Sequence, residues 1–372
     1  MKEQYRQSYL LLLLFAAFFW QGCGPSGKNS SSTPSGEPPP KPVFVTSILQ
    51  PGSAVQGYID LKAANESDLA RQIRKAFPDQ DKQMENLNKE LQGFLKATGM
   101  QIEDIAELAV MVSSLESLTG EDSDKELFSL PSGVTFAAAL KVTGEVDLES
   151  ILNFIEAQTE DEGGLDGVRD TKAEFEHATL MTIPMPDEQD ENRTGLVAHK
   201  VFDGFTFFLI GDDALVRSAL SSGKPGNLSP GSEMRSRLLA ENVGWLSMDF
   251  PPGLLDKGEE DLEENEMLAG FSKLLGKISS VGLAGNITST FPMQVRIGFV
   301  DAESSEQGAA TLNGLLGLFK LMALKDPSAI PPFLNSLTVK SEDTDLVVDA
   351  IFTFADVEAF QNQAEKDPGL LE

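Results

Sequence analysis

Four clusters of acidic residues are the commonest feature of the sequence that could do chemistry. Carboxylates are hard oxygen ligands, so each cluster could bind Ca²⁺, but a calcium loop also needs a glycine at its sixth position and a glutamate at its twelfth. Counted from Asp122, those positions hold Leu127 and Gly133, so the signature fails. We assign no metal-binding residue and expect exposed loops at residues 121–126, 160–170, 187–191 and 259–266.

Acid–base and nucleophilic catalysis need a base within hydrogen-bond distance of the group that it activates. His177 and His199 are the only imidazoles, and the sequence has no Gly-x-Ser-x-Gly motif. The residues around His177 favour a strand, on which Glu174 and Glu176 share one face while His177 lies on the other. This arrangement does not assemble an acid–base group, and we expect both histidines to lie on the surface or at a strand edge.

Two further motifs match only by spacing. Ser221 and Lys224 fit Ser-x-x-Lys, but they lie at the predicted end of a helix, whereas that chemistry places its serine at a helix start. A phosphate-binding loop would need glycine at Ser218 and Ser or Thr at Pro225. The sequence therefore indicates no catalytic residue and no cofactor, although carboxylates that meet only in space could still form a hydrolase site.

Charge and cysteine content limit the partners. The 372 residues carry 29 Lys and Arg against 58 Asp and Glu, a net charge of −29, which opposes binding to nucleic acid and peripheral docking on anionic lipid. Cys23 is the only cysteine, so an intrachain disulfide is impossible. The hydrophobic fraction of 41% and the length predict one or two globular units.

The N-terminus has the pattern of an export signal. Lys2 and Arg6 precede an uncharged, largely apolar run at residues 9–20. A membrane-spanning helix needs about 20 apolar residues, so this run is too short for a permanent anchor. We predict a cleaved signal peptide at residues 1–22.

The apolar run ends at Gln21-Gly22-Cys23-Gly24. Here the sequence resembles a bacterial lipoprotein signal, in which a small residue precedes a cysteine that becomes lipidated and is then the first residue of the mature chain. The resemblance covers about two dozen residues, and it implies lipidation of Cys23 and attachment to a membrane through that lipid. An ordinary signal peptide with an unrelated cysteine is the alternative.

Residues 23–42 are dominated by Gly, Ser and Pro, including three consecutive prolines from Pro38 to Pro40. Such a segment cannot form a core and acts as a partly extended tether.

The body alternates predicted strands and helices. Asp203-Gly204 is the dipeptide that most favours a tight hairpin turn, and residues 315–324 read as a buried, nearly all-apolar helix. Strands are expected at 54–61, 105–112, 134–142, 178–183, 196–202, 206–210, 243–249, 278–287, 294–300, 336–340 and 346–354. Helices are expected at 67–77, 79–98, 147–157, 213–221, 264–275 and 304–324.

The second half of this pattern repeats the first. Residues 243–249 parallel residues 55–60, because each apolar strand contains an aromatic residue and ends at aspartate. Short strand-to-strand connections require antiparallel pairing. We therefore predict an α+β fold of duplicated units, each a mostly antiparallel sheet with helices on one face. The halves would be residues 43–225 and 226–372, which could also form one continuous body.

Together these features predict an exported, non-enzymatic binding or structural protein of the bacterial cell envelope, anchored by lipid on Cys23 at the periplasmic or outer surface. Its partner would be a protein or a hydrophobic small molecule. A carrier or sensor of a hydrophobic small molecule is one alternative, and a carboxylate-dependent hydrolase is another.

Overall fold

The computed structural model describes residues 42–49, 53–76, 95–96, 98–114, 134–158, 171–184, 193–224, 243–251, 254–255, 274–325 and 332–359. The expected signal peptide, Cys23, nearly all of the tether and the four acidic clusters lie outside these ranges. The expected helices at 79–98 and 264–275 lie mostly outside them. The structure therefore does not test the predictions made for those segments.

The chain divides into two compact units. Unit 1 comprises Met1–Asn65 and Phe77–Ser229, and unit 2 comprises Glu66–Ala76 and Pro230–Glu372. Five α-helices have both ends within the described residues: α1 (Leu61–Asn65), α2 (Asp68–Ala76), α3 (Leu148–Gln158), α4 (Asp213–Ser222) and α5 (Ala302–Lys325).

Twelve strands lie within the described residues, so the fold is mostly β. Unit 1 contains β1 (Val55–Asp60), β2 (Ile105–Val112), β3 (Phe136–Thr143), β4 (Ala173–Phe175), β5 (Ala178–Pro184), β6 (Thr194–Phe202) and β7 (Phe205–Gly211). Unit 2 contains β8 (Gly244–Asp249), β9 (Ile278–Gly285), β10 (Phe291–Phe299), β11 (Thr338–Glu342) and β12 (Asp345–Phe352).

Strand order is β1-β2-β3-β7-β6-β5-β4 in unit 1 and β8-β9-β10-β12-β11 in unit 2. Neighbouring strands within each unit pair antiparallel. The expected antiparallel pairing is confirmed. The shortest connections, such as those between β6 and β7 and between β11 and β12, leave no room for a parallel crossover. The described residues contain more β-strand than the predicted α+β fold implies.

Two-residue turns set the register of the hairpins. Asp203 and Gly204 both have positive φ, 52° and 77°, in the predicted turn between β6 and β7. Glu176 and His177 also have positive φ, 49° and 60°, and they form the turn between β4 and β5. The expectation that they lie on a strand was wrong, because no glycine or asparagine marks this turn in the sequence.

Unit 1 is packed on both faces of its sheet. On one face, Leu148 and Leu152 of α3 pack against Met181 and Phe208. On the other face, Ala139 is also buried, and α4 and the 3-10 turn Val45–Ile48 contact β3. The expectation of helices on one face therefore does not hold for unit 1.

Unit 2 packs α5 against β10, β11 and β12. Ala309 of the helix lies in a cluster with Phe299 and Leu346. Asp301 caps the start of the helix, because its carboxylate accepts hydrogen bonds of 2.7 Å from both the backbone N–H and the hydroxyl of Ser304. These hydrogen bonds lower the pKa of Asp301.

Candidate functional site

His199 contacts the backbone just before the start of α3, and this contact does not arrange its ring as a general base. Its Nε2 lies 2.9 Å from the carbonyl oxygen of Val146, and its ring packs 5.2 Å from the ring of Phe208. A carbonyl only accepts hydrogen bonds, so Nε2 carries the proton in this contact. His177 occupies the turn between β4 and β5, whereas His199 lies within β6.

The Ser-x-x-Lys spacing at Ser221 and Lys224 falls at the C-terminus of α4. Gly223 ends this helix in the left-handed conformation, with φ of 58°. The neighbouring Ser222 hydroxyl donates to the carbonyl oxygen of Ala219 at 3.1 Å and accepts from the backbone N–H of Lys224 at 3.4 Å. The predicted helix end is confirmed, and the local hydrogen bonds are those of a helix cap.

Unit 2 contains a charge network on the sheet face that α5 does not cover. Ile297 and Leu346 belong to the α5 cluster, so the adjacent residue Arg296 points to the opposite face. Its side chain is only 8% exposed, and it contacts Asp345 at 3.3 Å and Glu342 at 3.1 Å. Its Nε also donates to the Oε1 atom of Gln294 at 2.7 Å. Arg296 is thus buried with two carboxylates and an amide.

Lys340 extends this network along the same face. Its Nζ lies 2.8 Å from Glu342 and 3.7 Å from Asp349. The hydrogen bond between Lys340 and Glu342 raises the pKa of Lys340 and lowers the pKa of Glu342, with Arg296 adding to the second effect. Both groups are held in their charged forms.

Unit 1 has a smaller charge cluster on its sheet face away from α3. Lys141 donates to the Oε1 atom of Glu107 at 2.5 Å, and its Nζ lies 4.3 Å from the ring centre of Phe205. The hydroxyl of Tyr58 lies 3.4 Å from the Oε2 atom of Glu107. Burial, followed by the charges of Glu107 and Asp60, raises the pKa of Tyr58.

Lys200 is a buried cation on the same face of unit 1. The residue is 1% exposed, and its Nζ donates to the backbone oxygen of Glu176 at 2.8 Å. That carbonyl belongs to the β4–β5 turn, in which two non-glycine residues adopt positive φ. The lysine therefore stabilises a turn whose backbone conformation is unfavourable by itself.

The two units place these cations at the same register positions. A two-residue turn joins β6 to β7 in unit 1, and another joins β11 to β12 in unit 2. Counted from those turns, Lys141 and Lys200 both pair with Phe207, while Arg296 and Lys340 both pair with Val347. Each unit therefore has a row across three strands in which an apolar residue lies between two cationic side chains. We call these two rows the cation rows.

The C-terminal part of α5 is more exposed than the sequence predicts. The sequence favoured burial of residues 315–324, and Leu316 is buried. Beyond it, Leu318, Phe319 and Leu321 are 55%, 42% and 61% exposed. The expectation of a core helix is wrong for these three residues, because the strands that bury the first turns of α5 do not cover them. We call Leu318–Leu321 the apolar tip.

The lipidation candidate, Cys23, lies outside the described residues. Within the described ranges, no group of three or more His, Cys, Asp or Glu residues has the geometry to hold a metal ion. None of the helices in the described part of the chain is both long enough and apolar enough to cross a membrane.

Comparisons with known proteins give little further information. No protein-family model matches the chain, and no curated protein sequence matches it. A solved structure titled "Structure of crystal form I of TP0453" is similar over 86% of this chain and 98% of its own, with a TM-score of 0.34 and 11% identity. A similarity at this level carries no argument about fold or function.

Proposed function

We propose that the protein is an exported, non-enzymatic binding or structural protein of the bacterial cell envelope, held at a membrane by lipid on Cys23. The observation that carries this proposal is the N-terminal sequence. Two basic residues, a short apolar run and Gly22-Cys23 follow one another in the order that a lipoprotein signal requires. The tether at residues 23–42 would then separate the body from the membrane surface.

The contacts of the body support a binding or structural role. The buried cations that we identified form hydrogen bonds or ion pairs within their own unit, as Arg296 does with Asp345. The apolar tip of α5, in contrast, presents large side chains to solvent. Exposed apolar patches of this kind mark interaction surfaces. The net charge of −29 argues against nucleic acid as the partner.

We also propose that the two units arose by duplication. The strand path is the same in both, since three consecutive strands are followed by a helix and the last strand returns beside the third. The cation rows occupy equivalent positions on this path. Sequence identity between the two units is too weak to show this equivalence by itself. Superposing β3, β6 and β7 on β10, β11 and β12 in an experimental structure should align Lys141 with Arg296. A one-residue offset would place the two cations on opposite faces and contradict this proposal.

Metabolic labelling tests the anchor. Bacteria that express the full chain would be grown with an alkyne-tagged fatty acid, and label on the purified protein would be measured. Cys23→Ala should abolish labelling. The matched control combines Cys23→Ala with Ser26→Cys, which keeps one cysteine but moves it three positions, and it should also remain unlabelled.

Labelling is a sharper readout than membrane binding here, because an uncleaved signal peptide would keep the Cys23→Ala chain at the membrane through its apolar run. Equal labelling of the original and relocated cysteines would indicate nonspecific acylation and contradict the proposal. An unlabelled original chain that is exported and cleaved would identify an ordinary signal peptide.

A further inference from the structure

The apolar tip of α5 is exposed around the whole helix. Residues 317–321 are all exposed, and five consecutive residues cover more than one helical turn. A helix that is apolar on all sides is normally buried in a protein core or in lipid. The tip therefore lacks the cover that its composition requires among the described residues.

The packing of α5 shows where this cover ends. Ser305, Ala309 and Leu316 are buried, and Leu312 packs against the same cluster, so the spacings of three, four and seven residues define one helix face on the sheet. The next position on that face is Phe319, which is 42% exposed. The helix continues for nine residues after Leu316, about 13 Å at the standard helical rise.

The charge of this segment differs from that of the whole chain. Residues 307–325 contain Lys320 and Lys325 and no acidic residue. The chain has 58 acidic residues in 372, so a segment of this length would carry about three on average. Between Glu306 and Asp326 the chain is therefore locally cationic and apolar in a protein of net charge −29.

From this combination we propose that the apolar tip docks on the surface of a lipid membrane with anionic headgroups. The exposed Leu and Phe side chains would enter the boundary between headgroups and acyl chains, while Lys320 would contact the headgroups. The proposal extends the membrane attachment proposed above, but it does not require lipid on Cys23.

The net negative charge of the chain does not prevent this contact. The Debye length is about 8 Å at physiological ionic strength, so acidic residues on distant surfaces are largely screened from the membrane. Charges within that distance of the lipid dominate, and the segment itself supplies only cations. A second copy of the chain would instead bring two cationic tips together, which is electrostatically less favourable.

Vesicle flotation of a non-acylated chain, residues 23–372, tests the proposal. This chain retains every residue that the structure describes and lacks the apolar run at residues 9–20, which would itself bind lipid. Vesicles would contain phosphatidylcholine with 30% phosphatidylglycerol, or phosphatidylcholine alone. We expect the original chain to float with the anionic vesicles.

Two variants locate the contact. Leu318→Gln with Leu321→Gln should lower the partition coefficient at least tenfold, because a leucine fully buried in lipid contributes roughly tenfold or more and these two need be only half buried for the pair to contribute that much. Lys320→Gln should lower it about fivefold on anionic vesicles and less than twofold on phosphatidylcholine alone. Both changes are at exposed positions of a helix and use a residue of good helix propensity.

A matched control removes exposed apolar side chains elsewhere in unit 2. Val300 and Ile351 are 64% and 46% exposed, and Val300→Gln with Ile351→Gln should leave the partition coefficient within twofold of the original. Fluorescence of the buried Trp245 checks that each variant is folded. Failure of the original chain to float, or an equal loss in the control, would overturn the proposal.

The oligomeric state separates lipid from a second copy. If the Leu318→Gln and Leu321→Gln variant dissociated a dimer in light scattering while flotation was unchanged, the tip would be a protein interface and the proposal would be wrong. Because the chain tested carries no lipid, these outcomes are independent of whether Cys23 is acylated in cells.

Discussion

Arg296→Met probes the buried charge network of unit 2. The side chain of Arg296 is 8% exposed and that of its partner Asp345 is 12% exposed. Methionine retains much of the aliphatic volume of arginine but removes the charge and the hydrogen-bond donors. The substitution would leave the Asp345 carboxylate without its guanidinium partner in a largely buried site.

The expected cost follows from this burial. Removing one partner of a buried ion pair typically costs about 3–5 kcal/mol, because the remaining charge is uncompensated. Glu342 is 34% exposed and keeps its 2.8 Å contact with Lys340, so little is lost there. We therefore expect the free energy of unfolding of unit 2 to fall by about 3 kcal/mol, at the lower end of that range.

Trp245 provides an assay specific to unit 2. It is the only tryptophan in residues 23–372, because the other is Trp20, and it is buried in β8. Urea unfolding followed by its fluorescence should show the midpoint falling by roughly 1.5 M, at a typical slope of about 2 kcal/mol per molar. Comparing slopes checks that the transition remains cooperative.

Two variants test the reason for this loss. Arg296→Met with Asp345→Asn removes the uncompensated charge and should recover at least about 1 kcal/mol of the loss. Lys141→Met, the equivalent change in unit 1, should leave the Trp245 midpoint unchanged when the two units unfold separately. A loss below about 1 kcal/mol for Arg296→Met, or no recovery in the double variant, would refute the reasoning.

Three further predictions concern pH and backbone conformation. The pKa of Glu342 is lower in the folded state, so its ionised carboxylate stabilises the fold above the unfolded pKa, and this stabilisation is lost as pH falls through the folded pKa. Glu342→Gln should therefore flatten the acid side of a plot of stability against pH, measured by Trp245 fluorescence. Burial raises the pKa of Tyr58, so the neutral phenol contributes its full stabilisation below the unfolded pKa and loses it as pH rises through the folded pKa. Tyr58→Phe should therefore reduce alkaline unfolding measured by circular dichroism. Gly211→Ala would place Cβ 2.3 Å from the carbonyl oxygen of Phe136 and should lower the thermal unfolding midpoint far more than Gly144→Ala, which has positive φ but no atom within 4 Å.

Most of the sheet could be predicted from the sequence, because its strands carry runs of apolar residues between turn signals. Eleven of the twelve strands within the described residues were expected close to their observed positions. The exception is β4, Ala173–Phe175, which is too short to show a period. Its turn at Glu176-His177 also lacks the residue types that normally mark a hairpin.

Burial and charge pairing could not be predicted in the same way. The composition of α5 indicated a buried helix, but composition does not tell how far the sheet extends along it, and the tip at Leu318 is exposed. Arg296 meets Glu342 and Asp345 only because β10 pairs with β12 and β12 with β11. Such contacts depend on the register between strands that are distant in sequence.

The most direct test of the central proposal is the mass of the N-terminal peptide of the protein purified from membranes of its own host. The account predicts that Cys23 is the first residue and carries covalently bound lipid. A first residue other than Cys23, or Cys23 with an unmodified thiol, would contradict the proposed anchor.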